Sequence, residues 1–192
     1  KQWIERRVLE LSTCFAVELL AFAVMSNHFH LVVFYDPNVA STWSNEEVVD
    51  RWMKAFPPNT DDVKGARALM LGDPKRIERA RATLGCMSKF MKHLKQPIAF
   101  RANREDEAHG HFFEKRFYSG ALIDEESTLA TMMYVDLNPF RANIAATLKG
   151  ADATSIQWRL KKVANSLERL EEWVAPVASG VARAVSKLGS PS

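Results

Sequence analysis

Apolar side chains in the first 17 residues recur at the three- and four-residue spacing of an amphipathic helix. This spacing predicts a helix over residues 2–17, with one apolar face directed toward a core. The apolar stripe consists of Trp3, Ile4, Val8, Leu9, Leu11 and Phe15.

The pattern then changes to a run rich in β-branched and aromatic residues, which stops at Asp36-Pro37. Such a run favours β-strands, and an Asp-Pro pair is typical of a turn. Ser26 and Asn27 interrupt the run with two small polar side chains. We therefore predict two short strands joined by a tight turn at Ser26-Asn27, the second strand covering residues 28–34.

Helical patterns dominate the middle of the chain. Residues 36–85 carry helical stretches that are broken at two proline-containing turns. Residues 86–104 predict a basic amphipathic helix, in which Pro97 is expected to cause a kink or a stop near the end. The two breaks are Pro57-Pro58 and Gly72-Asp73-Pro74, and the inward positions of the basic helix are Met87, Phe90, Met91 and Leu94.

The last third of the chain predicts an extended segment over residues 112–123 and then a helix that begins at Asp124. The Asp124 carboxylate can cap the first turn, and the two glutamates after it suit the positive end of the helix dipole. This helix runs through Leu137 and meets Pro139. A further helix is predicted over residues 157–174, after which the chain is expected to fray. Helices combined with an antiparallel strand pair indicate the α+β class.

Composition is that of an ordinary globular protein. The 192 residues are 47% hydrophobic and 26% charged, which excludes disorder for most of the chain. Two cysteines outside any CxxC pair are too few for a disulfide framework. The charged N-terminus does not suit a signal peptide, and the most apolar window, residues 15–25, is too short to span a bilayer. We therefore expect a soluble, cytoplasmic protein with no membrane partner.

Positive charge is concentrated in one central block of the sequence. The net charge is only +3, but residues 64–104 contain eleven Lys or Arg residues and two acids. The segments on both sides of the block are acidic. A surface of this kind suits a polyanion such as nucleic acid. The alternative is a solvated helical face with no ligand.

Two histidines flank a phenylalanine at the start of the second predicted strand, as His28-Phe29-His30. Residues i and i+2 of a strand point to the same face, so the two imidazoles are expected to lie side by side. Histidine is the commonest metal-binding side chain, which predicts a cation site here. The alternative is a pair of half-buried histidines that are hydrogen-bonded to the backbone.

A tyrosine and an asparagine are one helical turn apart in the helix that follows Asp124. Because positions i and i+4 share a helix face, Tyr134 and Asn138 are expected to lie one above the other. An amide oxygen is a suitable ligand for a hard divalent cation, and an activated tyrosine can act as a covalent nucleophile. In the alternative interpretation, Tyr134 is a half-buried packing residue and Asn138 ends the helix before Pro139.

Three segments together resemble one known family, and they occur in the order found in that family. They are residues 25–33 (MSNHFHLVV), 110–118 (GHFFEKRFY) and 134–142 (YVDLNPFRA). Over residues 3–145 the chain is similar to the IS200-like transposase family. It is most similar to the REP-associated tyrosine transposase branch of the single-tyrosine HUH enzymes.

The resemblance implies an antiparallel, ferredoxin-like sheet with helices on one face. It also implies an enzyme that cleaves and rejoins single-stranded DNA through a 5′-phosphotyrosine, with Tyr134 as the nucleophile. The ligands of the divalent metal, Mg²⁺ or Mn²⁺, would be His28, His30 and Asn138. Arg116 matches the arginine of the middle motif, which is expected to lead into a strand and to support the site or contact DNA. The expected partner is single-stranded or hairpin DNA, such as repetitive palindromic elements, and the protein would be a monomer or a homodimer.

The resemblance assigns residues 1–150 to the transposase domain, with a basic helical insertion at about residues 36–104, and residues 151–192 to a helical tail. The family's first strand has no counterpart in this sequence, which begins inside the following helix, so a sheet edge is expected to be exposed. The basic block is expected to contact the DNA backbone. The residues predicted for that contact are Lys89, Lys92, Lys95, Arg101 and Arg104.

Two other functions stay open on the sequence alone. A non-cleaving, domesticated relative would bind DNA without forming covalent adducts. An unrelated metal hydrolase would use the His28-His30 pair with further ligands, and its activity would not need Tyr134. The second HxH pair, His109 and His111, is predicted to lie in a loop rather than in a metal site.

Overall fold

The computed structural model describes residues 1–113, 117–147 and 150–164, and these residues form eight helices and two strands. The α+β class predicted from the sequence is confirmed. None of the helices in these ranges is both long and apolar enough to cross a bilayer. The elements are α1 (Gln2–Ser12), β1 (Val17–Val24), β2 (Phe29–Tyr35), α2 (Val39–Thr42), α3 (Asn45–Ala55), α4 (Val63–Leu71), α5 (Pro74–Leu84), α6 (Met87–Glu105), α7 (Glu125–Arg141) and α8 (Ser155–Ala164).

The chain divides into two compact units that alternate along the sequence. The hairpin unit comprises Lys1–Glu5, Glu18–Phe34 and the described residues of Ser119–Ser192. The helical unit comprises Arg6–Val17 and Tyr35–Tyr118, so it includes the predicted basic insertion. Helix α8, which the resemblance assigns to a helical tail, lies in the hairpin unit, and its Ser155 and Arg159 side chains are hydrogen-bonded to β1.

The first helix is shorter than its apolar spacing predicts. It ends at Ser12, and β1 already begins at Val17, so the prediction of a helix to residue 17 is wrong. The Ser12 hydroxyl donates to the Leu9 carbonyl at 2.9 Å, and the Thr13 hydroxyl donates to the Glu10 carbonyl at 2.8 Å. These side-chain hydrogen bonds compete with the backbone hydrogen bonds that would continue the helix. Arg51 donates to the Thr13 carbonyl at 2.9 Å and so satisfies a group at the helix end.

The predicted β-hairpin is present as an antiparallel pair, β1 and β2. The backbone N–H of Met25 donates to the His28 carbonyl at 2.9 Å and closes the turn that contains Ser26 and Asn27. Strand β2 is displaced by one residue from the predicted range of 28–34. The ferredoxin-like sheet is not confirmed, since the described residues give two strands and one isolated antiparallel bridge, between Ala23 and Thr154.

Helix α7 packs on the face of β2 that carries His30. Side chains alternate along a strand, so Val32 and Phe34 share this face with His30. Val32 is buried together with Met132 and Val135 of α7, and Phe34 packs against the same cluster. The other buried members of the cluster are Leu20, Ala21, Ala23 and Met25. The hydrophobic contacts of the hairpin unit therefore hold α7 directly over the strand that carries His30.

The predicted N-cap of α7 is confirmed, and the helix does not end where it meets Pro139, as the alternative interpretation of Asn138 would require. The Asp124 carboxylate accepts a hydrogen bond from the Ser127 N–H at 2.6 Å, and this bond lowers the pKa of Asp124. The helix continues through Pro139 to Arg141. A proline here removes only one N–H from the last turn, and its buried ring adds apolar contacts. The Ala142 N–H still donates to the Asn138 carbonyl at 3.0 Å.

The segment after the middle motif is irregular rather than a strand. Residues 117–123 contain no strand, which contradicts the expectation that the motif leads into one, while residues 114–116 lie outside the described part of the chain. Tyr118 is 96% exposed, and the residues that follow it are exposed too. With few buried side chains, this segment lacks the packing that stabilises a strand. Residues 165–174 of the last predicted helix also lie outside the described residues.

The helical unit is built around an apolar stripe on α6. Phe90, Leu94, Ile98 and Ala102 follow one another at four-residue spacing and are all buried. Because Ile98 and Ala102 lie beyond Pro97, their burial supports the helix past the proline, so α6 does not stop at Pro97. Phe15 packs edge-to-face on Phe90, with ring centroids 5.6 Å apart.

His93 makes the stability of the helical unit depend on pH. Its ring packs against Phe56 with centroids 4.6 Å apart. Burial, together with the positive charges of Lys92, Arg7 and Lys89, lowers the pKa of His93 below its ordinary value of 6.5. The unfolded chain therefore binds a proton near that pH that the folded unit does not. Stability is fully present above about pH 6.5 and falls as the pH drops toward the lowered value.

We expect His93→Gln to flatten this part of the pH profile. Urea unfolding followed by tryptophan fluorescence between pH 7.5 and 5 measures it. One proton changes the free energy of unfolding by at most about 1.4 kcal/mol per pH unit. His109→Gln, at an exposed position, is the matched control and should leave the profile unchanged. Parallel profiles for wild type and His93→Gln would show that His93 does not cause the dependence.

Candidate functional site

The hairpin brings the two histidines of the HxH motif together. Their ring centroids are 4.9 Å apart and the rings are nearly perpendicular, at 86°. His28 lies in the turn just before β2, and its Nδ1 is 2.7 Å from the Asn27 amide oxygen. Since that oxygen can only accept, Nδ1 is the donor in this contact, and Nε2 is the ring nitrogen of His28 that the neutral tautomer offers to a metal.

Helix α7 brings Tyr134 and Asn138 to the same place. The Tyr134 ring lies edge-on to the His30 ring, with centroids 6.1 Å apart and an angle of 84°. The Asn138 amide Nδ2 is 3.4 Å from His30 Nε2. Tyr134 is 44% exposed and Asn138 is 8% exposed. The phenol is therefore accessible to a large substrate, while the amide lies between the helix and the strand.

The donors around His30 fit a divalent cation. Two ligand atoms at right angles around an ion such as Mg²⁺ are about 3 Å apart, close to the separation of His30 Nε2 and the Asn138 amide. Rotation of the amide by half a turn brings its oxygen to the position of Nδ2. Imidazoles with an amide oxygen suit Mn²⁺ better than Mg²⁺. In the described parts of the chain, no three His, Cys, Asp or Glu side chains converge on one point. A set of three donors at this place therefore requires the Asn138 amide in addition to the two histidines.

The electrostatics of the site favour a neutral His30. Burial and, to a smaller extent, the neighbouring His28 lower the pKa of His30 below 6.5. The ring is therefore unprotonated at neutral pH, which is the form that can bind a metal.

Arg141 also lies at this candidate site, although the sequence pattern did not predict it. Its guanidinium carbon lies 4.9 Å from the centroid of the Tyr134 ring. Arg141 follows Tyr134 by seven residues, two helical turns, so the two share a face once the helix is known to continue through Pro139. The arrangement places a permanent positive charge beside the phenol, where a phosphate group would be attracted.

Asp136 lies near Tyr134 in sequence but does not belong to the site. Its carboxylate is buried and bonded to Ser155 and Arg159. A general base for the Tyr134 phenol would have to reach its oxygen, and this carboxylate is occupied on another side of α7.

The residues predicted to contact DNA lie on α6, apart from Arg116, which is outside the described residues. Lys89 and Lys92 are exposed on α6, in the helical unit, as is Arg104. Lys95 lies over the ring of Phe113 at 4.3 Å, and Arg101 pairs with Glu105 at 2.8 Å. Two further cations of the central block are bound within the helical unit, because Arg67 pairs with Asp50 and Arg81 donates to the Ala40 and Trp43 carbonyls.

The remaining tyrosines and the second HxH pair show no comparable arrangement. Tyr35 donates to the Gly85 carbonyl at 2.8 Å. Tyr118 is exposed in the irregular segment, and His109 and His111 are exposed in a loop. Comparison of the chain with protein-family models, curated proteins and solved structures gives no match. Among the described residues, the side chains around His30 therefore form the candidate site.

Proposed function

We propose that this chain is a metal-dependent tyrosine transposase of the IS200-like type, which cleaves and rejoins single-stranded DNA. The observation that carries the proposal is the convergence of Tyr134 and Asn138 on His30, which is 108 residues from Asn138 along the chain. A nucleophile, a set of metal donors and a fixed positive charge then occupy one site. These are the groups that phosphoryl transfer to a tyrosine requires.

In the proposed reaction, Tyr134 Oη attacks the phosphorus of a DNA phosphodiester. The Oη–P bond forms, the bond from phosphorus to the 3′ oxygen breaks, and the 5′ phosphate remains esterified to the tyrosine. The phenol proton passes to solvent, and the departing oxygen takes up a proton as a free 3′-hydroxyl. Attack of a 3′-hydroxyl on the phosphotyrosine reverses these bond changes, so strands are rejoined without ATP.

His28, His30 and Asn138 would hold the divalent cation, Mg²⁺ or Mn²⁺. When bound, such an ion would polarise the phosphoryl group and neutralise the charge that develops on it. Arg141 supports the same step with hydrogen bonds to a phosphate oxygen, since a guanidinium presents several donors in one plane.

The DNA would be a single strand or a hairpin, such as a repetitive palindromic element, and the protein would act in the cytoplasm as a monomer or a homodimer. The ferredoxin-like sheet is part of this proposal. Its support is the hairpin β1–β2 with α7 packed on the face of His30. Exposed cations on α6 supply a surface for the DNA backbone.

The test uses a DNA hairpin labelled separately on either side of its cleavage site, incubated with the protein and Mn²⁺. We expect a complex that resists SDS and retains only the label on the fragment that carries the 5′ phosphate. Binding in native gels without any SDS-resistant complex would instead identify a non-cleaving DNA-binding protein. Cleavage that requires Zn²⁺ and does not require Tyr134 would identify a metal hydrolase.

Removal of the exposed α6 cations should weaken DNA binding and make the binding constant less dependent on salt. Each phosphate contact on single-stranded DNA contributes about 0.7 to the slope of log K against log salt. Lys89→Gln with Lys92→Gln is therefore expected to reduce the slope by about 1.4, measured by fluorescence anisotropy. The matched control removes two exposed cations outside the block, with Lys54→Gln and Lys162→Gln. Equal slopes for the two double variants would show that α6 does not contact the DNA.

A further inference from the structure

A carboxylate is buried on the side of α7 that faces away from Tyr134. Asp136 follows Tyr134 by two residues, which places it about 200° around the helix. Its side chain is 9% exposed, and that of its ion-pair partner, Arg159, is 13% exposed. The Ser155 hydroxyl lies 2.5 Å from the second carboxylate oxygen. A buried carboxylate is stable only with such partners.

Both partners of Asp136 are also bonded to β1. The Ser155 oxygen accepts from the Phe22 N–H at 2.9 Å and lies 3.1 Å from the Phe22 carbonyl. Arg159 donates to the Leu20 carbonyl at 3.3 Å. Since β1 pairs with β2, the two α8 side chains connect α7 to the sheet that carries His30.

We propose that Asp136 and Arg159 are positioning residues, which fix the rotation of α7 so that Tyr134 and Asn138 face His30. The inference rests on the proposed function, because it assigns the pair a role in that reaction. An atom about 6 Å from a helix axis moves about 1 Å when the helix turns by ten degrees. A misplacement of that size can lower the rate of a reaction about a hundredfold.

If the pair only stabilised the fold, a folded variant without it would keep the wild-type rate of adduct formation. Well-packed apolar side chains often substitute for a buried ion pair with little loss of stability, whereas removal of one partner leaves a buried charge. The informative variant is therefore the double replacement Asp136→Leu with Arg159→Met. The single variant Asp136→Asn serves as a second measurement, since it keeps the shape and an acceptor for Ser155. The control replaces the exposed ion pair of the helical unit, with Asp50→Leu and Arg67→Met.

Four quantities are measured on the full chain. These are the urea midpoint, the dissociation constant for a DNA hairpin, the single-turnover rate of adduct formation on that hairpin at saturating Mn²⁺, and the NMR shifts of the Asn138 amide and the His30 ring. For the double variant we expect a urea midpoint near that of wild type, a rate at least tenfold lower and displaced Asn138 and His30 signals. The affinity for the hairpin should stay within twofold. The control should leave the rate and both signals unchanged.

A folded Asp136→Leu/Arg159→Met variant with the wild-type rate and unshifted signals would overturn the inference. If the double variant is unfolded, the adduct rate and the Asn138 and His30 signals are measured on Asp136→Asn, and wild-type values would overturn the inference. Failure of the proposed function is recognised separately, because wild type would then form no adduct. In that case displaced signals of Asn138 and His30 in the variant would still support the positioning of α7, and unchanged signals would contradict it.

Discussion

Replacement of Tyr134 by phenylalanine is expected to abolish covalent attachment to DNA, with adduct yield reduced at least about a thousandfold. The change removes one oxygen and keeps the ring that lies against His30 and beside Arg141. The packing of α7 and the positive charge of Arg141 are therefore preserved, and the dissociation constant for a DNA hairpin should stay within about twofold. SDS gels measure the adduct, and fluorescence anisotropy measures the binding.

The control for this experiment is Tyr118→Phe. Tyr118 is the most exposed of the three tyrosines and has no amide at the fourth following residue, so its loss should leave the adduct yield unchanged. Full adduct yield from Tyr134→Phe would mean that another residue is the nucleophile. Loss of the adduct in both variants would point to a general defect rather than to the chemistry of Tyr134.

The second large effect is expected at the histidine pair. His28→Ala with His30→Ala removes two of the three proposed metal donors, and the metal-dependent rate of adduct formation should fall more than about a hundredfold. Even residues that only support metal ligands cost 10- to 100-fold on replacement, so loss of two ligands should cost at least as much. The measurement is the single-turnover rate as a function of Mn²⁺ concentration.

The chain contains its own control for this double variant. His109 and His111 have the same HxH spacing but lie exposed in a loop, so His109→Ala with His111→Ala removes the same chemical groups from another place. We expect wild-type rates from it. Equal losses in the two double variants would contradict a metal site at His28 and His30.

Local sequence signals predicted much of the geometry of the site. The alternation of a strand explains why His28 and His30 can be expected side by side, and the helical repeat does the same for Tyr134 and Asn138. The Asp124 cap was also predictable, because a carboxylate before a helix satisfies a free N–H at its first turn. These features depend on residues that are close in sequence.

Features that depend on distant residues were not predictable in this way. Asp136 is bonded to Ser155 and Arg159, which lie 19 and 23 residues further along the chain, and no periodicity connects them. The passage of α7 through Pro139 was missed because burial of the proline outweighs its local preference to end a helix. The position of Arg141 over the Tyr134 ring follows from that continuation and was missed with it.

The most direct test is identification of the residue that becomes attached to DNA. Wild-type protein is incubated with Mn²⁺ and a hairpin oligonucleotide, the adduct is digested with nuclease and trypsin, and the modified peptide is fragmented in a mass spectrometer. The tryptic peptide of residues 117–141 contains both Tyr118 and Tyr134, so the fragments must separate the two. We predict a nucleotide 5′-phosphate on Tyr134. A nucleotide on Tyr118 or Tyr35, or DNA cleavage with no modified tyrosine, would contradict the account.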